Sequence, residues 1–181
     1  MYATGNHPRV YETYSIGCSI FKNGKKAETF YERFKPKFCD VMDPRFLAKR
    51  NLSPEMIKRI RGNQRKAFKK FLGMLEDHID VRKSNDRFII AGFDGNRQAE
   101  HLREWFDVNG NNGFDYYFWK QSIDLTTLSL FQLKDKRHKL TNLKIPTIGR
   151  TLGMDINPEL ENEEETLLQV AEFVGEYMEL H

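Results

Sequence analysis

The chain has 181 residues, 39% of them apolar and 30% charged, with 14 Phe, 7 Tyr and a net charge of +3. That length suits one domain burying roughly 70% of its unfolded surface, and the composition excludes an intrinsically disordered chain. Apolar runs stay short of the ~20 residues needed to cross a bilayer and no basic-then-apolar leader opens the sequence, so the expectation is a single cytoplasmic domain over residues 1–181, with no membrane partner.

Strand and helix patterns alternate along the chain, which predicts an α/β layer architecture. Residues 10–21 are rich in β-branched and aromatic side chains, Asn23-Gly24 is a hairpin turn signal, and residues 27–34 give the returning strand. Residues 35–45 read as a loop. Ser53, Pro54 and Glu55 then supply the N-cap, first-turn proline and first-turn acid of a short helix. Over residues 64–80, Phe68, Phe71, Leu72, Leu75 and Ile79 recur at helical spacing on one core face. The run Arg87-Phe-Ile-Ile-Ala-Gly-Phe93 reads as a buried strand. Residues 97–106 put Gln98, Leu102, Trp105 and Phe106 on one side of a helix that ends before the Asn109-Gly-Asn-Asn-Gly113 loop. Asp124 is placed to cap a helix running to about residue 134, and Pro146 opens another that ends at Gly153. A last helix over residues 163–180 carries Leu167, Val170, Ala171, Val174 and Met178 on its apolar face, with acids in its first turn that suit its dipole.

Charge is unevenly distributed. Residues 49–70 hold nine Lys or Arg against the single acid Glu55, whereas residues 155–179 hold nine acids and no Lys or Arg. A basic run can be a phosphate-binding footprint, because cations that neutralise phosphates release counterions, although a solvated helix face is its commoner meaning. Lys58, Arg61, Arg65 and Lys69 are the candidate phosphate contacts. The five histidines, His7, His78, His101, His138 and His181, lack metal-ligand spacing and read as surface or partly buried residues. Neither Cys18 nor Cys39 sits in a nucleophile or disulfide pattern. Phe114-Asp-Tyr-Tyr-Phe-Trp119 offers rings that could stack on bases, with packing the commoner use.

Three segments carry a resemblance. Met1-Tyr-Ala-Thr-Gly-Asn-His-Pro8, followed by Tyr14-Ser-Ile-Gly-Cys-Ser-Ile-Phe21, resembles the opening of the DnaQ-like exonucleases of the DEDD class, where Asp-x-Glu-Thr-Thr-Gly-x-x-Pro precedes a strand ending Ile-Gly. Ala91-Gly92-Phe93-Asp94-Gly95-Asn96-Arg97-Gln98 keeps the register of the family's second motif. Asn157-Pro-Glu-Leu-Glu-Asn162 keeps the His-x-x-x-x-Asp spacing of the third. Ile123-Asp124-Leu-Thr-Thr127, Leu143-Lys144-Ile145 and Leu152-Gly153-Met154 are similar to intervening segments. The resemblance implies an RNase H-like mixed α/β sheet flanked by helices, in which Tyr2, Gln98, Asn157 and Asn162 meet at one cleft. It also implies a central first strand, whose Asp would lie before Met1; with that strand missing, a segment upstream of Met1, another part of the fold or a partner is expected to fill its place.

At each vestigial position the chemistry has changed. The family's Glu falls on Tyr2, its second-motif Asp on Gln98, and its third-motif His and Asp on Asn157 and Asn162. Two-metal phosphodiester hydrolysis needs carboxylates converging on a pair of divalent ions. Asn and Gln keep a carbonyl oxygen but lose the charge, and Tyr is neutral at pH 7. The resemblance therefore implies a catalytically degenerate homologue that needs no metal, retained in phage or bacterial DNA metabolism to bind single-stranded nucleic acid or a replication or assembly protein. Phe93 is its candidate stacking face. The alternatives are an active Mg²⁺- or Mn²⁺-dependent 3′ to 5′ exonuclease in which Asp94 has become a relocated ligand, and a purely structural subunit. The ordinary use of Asp94 is a turn residue bonding its own backbone ahead of Gly95.

Overall fold

The computed structural model describes residues 1–152. The last predicted helix, Asn157, Asn162 and the acidic run lie outside them.

The hairpin forms as its turn residues dictate. Asn23 and Gly24 have φ of 55° and 75°, the two left-handed positions required by the turn type that matches strand twist. They join β2 (Thr13–Lys22) to β3 (Lys25–Arg33), paired antiparallel from Ser15↔Arg33 to Lys22↔Lys25. On the opposite edge of β2 lies β1 (Tyr2–Ala3), with Tyr2 opposite Ser15 and Ala3 opposite Thr13. Residues 2–3 thus form a short strand at the position where the resemblance put the end of the first strand, at the edge of this three-stranded sheet and not at its centre. A second sheet consists of β4 (Phe88–Gly92) and β5 (Phe118–Asp124), paired parallel. The architecture is mixed α/β, with one antiparallel and one parallel sheet.

Three helices follow β3. α1 (Pro44–Ala48) starts where the Asp43 carboxylate accepts from the backbone N–H groups of Arg45 and Phe46. α2 (Pro54–Lys58) uses the predicted Ser53 cap, and α3 (Gln64–His78) is capped by Asn63. Between β4 and β5 run α4 (Gly95–Val108) and the short α5 (Phe114–Tyr117). After β5 come α6 (Leu125–Gln132), a 3₁₀ segment (Lys134–Lys139) and α7 (Ile145–Leu152).

The principal core is aromatic. Phe34 stacks on Trp105 with ring centroids 5.1 Å apart, and Phe68 meets Trp105 and Phe106 edge-on at 5.1 and 5.0 Å. Such pairs contribute about 0.5–1.5 kcal/mol each beyond their buried area. Phe71, Met74 and Leu75 of α3 join Leu102, Trp105 and Phe106 of α4 and Ile16 and Ile20 of β2 in this cluster. The 114–119 aromatics are divided: Phe114, Tyr117 and Phe118 are buried, while Tyr116 and Trp119 are exposed. Packing therefore claims most of that run. β4 differs from its expectation as a buried strand. Phe88 and Ile90 pack onto the core, but Ile89 points the other way and is 57% exposed, because alternate side chains of a strand face opposite sides.

Candidate nucleic-acid interface

In parallel α/β sheets, ligands bind outside the carboxyl ends of the strands. Here those ends are Gly92 and Asp124, paired as the last rung of β4 and β5. Asp124 organises them. Its carboxylate accepts from the backbone N–H of Thr127 at 2.8 Å, capping α6 as predicted, and from the N–H of Gly95 at 3.1 Å, tying down the start of α4. Burial opposes ionisation of this carboxyl, but the backbone donors at Thr127 and Gly95 outweigh it and hold its pKa below the ordinary value. Gly95 is dictated by the same close approach, since a Cβ there would lie 2.6 Å from the carbonyl oxygen of Ile123.

Asp94 precedes that contact in a left-handed conformation, φ 58° and ψ 48°, and makes no capping bond to the backbone. The turn reading of Asp94 therefore holds for the backbone but not for the side chain. Its carboxylate instead pairs with Arg97, 2.5 Å away. Arg97 also donates to the side-chain oxygen of Asn6. Among the described residues, no three His, Cys, Asp or Glu side chains are grouped so as to hold a metal ion.

The Met1 amino group donates to the Gln98 side-chain oxygen at 2.8 Å, which brings residue 1 against α4. Tyr2 itself packs in the other cluster, with Tyr14, Leu47 and Ile57. Asn157 and Asn162 lie outside the described residues. Around Tyr2 the surroundings are cationic: the Arg50 guanidinium lies 4.9 Å above the Tyr2 ring and 4.4 Å from that of Phe46. His101, one turn beyond Gln98, is 5% exposed. Burial, then Arg97, the Met1 amino group and Arg50, lower its pKa to about 4. The sequence reading gave His101 a surface or partly buried place and did not single out Arg50 and Arg97 as the cations near Tyr2 and His101. Helical spacing was the available signal for His101, because it precedes Leu102 and lies four residues before Trp105.

Phe93 is half-buried and packs against Leu133 and Ile148, so part of its ring is engaged in a small core. The basic candidates are more open. Lys58, Arg61, Arg65 and Lys69 are all exposed, as are Arg59, Lys66 and Lys70. Arg65 and Lys69 are four apart on α3 and so share a face. Lys58 lies 3.7 Å from Asp40 and Lys70 contacts Glu32; Arg59, Arg61, Arg65, Lys66 and Lys69 have no ion-pair partner among the described residues. The inner side of this segment is fixed: Ile57 of α2 is buried with Tyr14 and Leu47, and Ile60 and Tyr2 pack against the same cluster. The α2 part of the basic surface therefore sits on a segment packed into the cluster that holds Tyr2, whereas α3, which bears Arg65 and Lys69, packs into the principal core.

No protein-family model matches the chain, and no curated protein is significantly similar to it in sequence.

Proposed function

We propose that this chain is a catalytically degenerate, RNase H-like relative of the DnaQ-like exonucleases that binds single-stranded nucleic acid without a metal. The observation that carries the reading is the exposed cationic run Lys58, Arg61, Arg65 and Lys69, carried on α2, α3 and the segment between them, with Ile57 and Ile60 of the first part packed in the cluster that holds Tyr2. A phosphate chain meets Arg61, Arg65 and Lys69 there without an ion-pair partner among the described residues, and Lys58 beside Asp40. At the vestigial positions it meets Tyr2 and Gln98, with Arg50 and Arg97 near by, instead of carboxylates that would repel it in the absence of metal ions. Asp94 supports the same reading, because its carboxylate is engaged by Arg97.

The binding is electrostatic and sequence-tolerant in character, with the phosphate backbone as its main contact. A labelled single-stranded oligonucleotide titrated in EDTA tests it. The expected result is binding that EDTA leaves unchanged and that weakens about three-hundredfold between 50 and 200 mM salt if about six phosphates are engaged. Absence of binding at 50 mM salt would favour protein docking as the function of this surface.

A further inference from the structure

An exposed aromatic side chain by itself means little, since single apolar residues are common on protein surfaces. The setting of Phe38 is different. Beyond β3 the chain continues extended, with Phe34 and Pro36 buried and Lys35 and Lys37 exposed. Continued alternation would bury residue 38 as well, yet Phe38 is 57% exposed. The backbone is held in that arrangement by Glu12, whose two carboxylate oxygens accept from the N–H groups of Lys37 and Phe38 at 2.6 and 3.2 Å. A charge-assisted clamp of this kind fixes the backbone and leaves the ring presented to solvent.

The loop is also tied to the basic segment at both ends. The Lys35 N–H donates to the Gly62 carbonyl at 2.9 Å, and Asp40 lies 3.7 Å from Lys58. Residues 35–40 thus run alongside residues 58–62, which contribute Lys58, Arg59 and Arg61. The Lys37 ammonium lies 5.2 Å from the centre of the Phe38 ring. A ring presented to solvent from a hydrogen-bonded backbone, among cations, is the combination used to hold unpaired bases, with the ring stacking on a base and the cations meeting its phosphates.

We infer that Phe38 is a base-stacking platform for single-stranded nucleic acid, flanked by Lys35, Lys37, Lys58, Arg59 and Arg61. This inference rests on the nucleic-acid-binding reading above and adds to it a specific contact with a base. Stacking involves no charge, so removing the ring lowers affinity without altering its salt dependence, whereas removing cations alters both.

The experiment compares wild type, Phe38→Ala and Phe38→Trp on a labelled oligothymidylate and on an abasic oligonucleotide of equal length and charge. Phe38→Ala is expected to weaken oligothymidylate binding by about 5- to 150-fold, the range for loss of one stacked base. The salt slope should stay the same, and abasic binding should not change. Phe38→Trp should retain affinity, and its added emission should be quenched by oligothymidylate but not by the abasic strand. An unchanged melting temperature for both variants confirms an intact fold. If Phe38→Ala matches wild type on oligothymidylate, or loses equally on both ligands, the stacking role is overturned while the cationic surface stands. If wild type binds neither ligand at low salt, both the inference and the reading beneath it fall.

Discussion

His101 illustrates how burial converts one residue into a pH dependence of the whole fold. Its ring N–H donates to the Asn6 carbonyl, but burial and the surrounding cations dominate, and its pKa falls to about 4. Above pH 6.5 the ring is neutral in both folded and unfolded chains and contributes no difference. As pH falls below 6.5 the unfolded chain takes up a proton that the folded one refuses, so stability is lost progressively down to about pH 4. The loss attributable to His101 is on the order of 3 kcal/mol. Urea unfolding of wild type and His101→Gln between pH 7 and 4 should show a steeper loss for wild type; parallel profiles would contradict the assignment. At this scale the sequence was partly legible. Gln98, Leu102, Trp105 and Phe106 were read onto one face of α4, and Asp124 was read as a cap. The pairing of Asp94 with Arg97 was not legible, because it depends on a left-handed residue immediately before the helix.

The loop and helices after β3 are positioned by backbone contacts that leave little space. A Cβ on Gly62 would come within 2.0 Å of the Arg33 carbonyl oxygen, whereas one on Gly73, within α3, would meet nothing within 4 Å. Gly62→Ala is therefore expected to destabilise by roughly 1–3 kcal/mol through forced displacement. Gly73→Ala should stabilise by about 0.5–1 kcal/mol by removing unfolded-state freedom from a helical position. Chemical denaturation of the two variants gives opposite signs if the packing is as described, and equal signs would contradict it. Helix caps and periodic apolar faces announced α2, α3 and α6 in advance. α1 and β5 were not announced: α1 is a single short turn that starts at the end of the loop read over residues 35–45, and β5 has an exposed middle that breaks the apolar pattern of a strand. The signal for the loop bearing Phe38 lay in Lys35-Pro-Lys-Phe38, basic residues interleaved with an aromatic. Its backbone hydrogen bonds to Glu12 were too distant in sequence to be inferred.

Across the molecule, an α/β architecture agrees with the alternation of strand and helix patterns, and the first two motif segments approach through Met1 and Gln98. The nuclease-like reading implies that catalysis has gone while a binding surface remains. Purified protein with Mg²⁺ or Mn²⁺ is accordingly expected to release no nucleotides from single-stranded or 3′-recessed DNA above background, because loss of the metals removes both the activated water and the charge stabilisation of the transition state. Robust release that Asp94→Asn abolishes would instead make Asp94 a metal ligand.

The central claim is that the cations on α2, on α3 and between them meet phosphates directly. It is tested most directly by measuring the salt dependence of oligonucleotide affinity in EDTA for wild type and for a variant with Lys58, Arg61, Arg65 and Lys69 all replaced by alanine. These four side chains are exposed, so the variant is expected to fold normally. If each meets one phosphate, the slope of log affinity against log salt should become shallower by about three units and binding at 50 mM salt should weaken sharply. Equal affinity and equal slope for the two proteins would show that the basic surface does not bind nucleic acid.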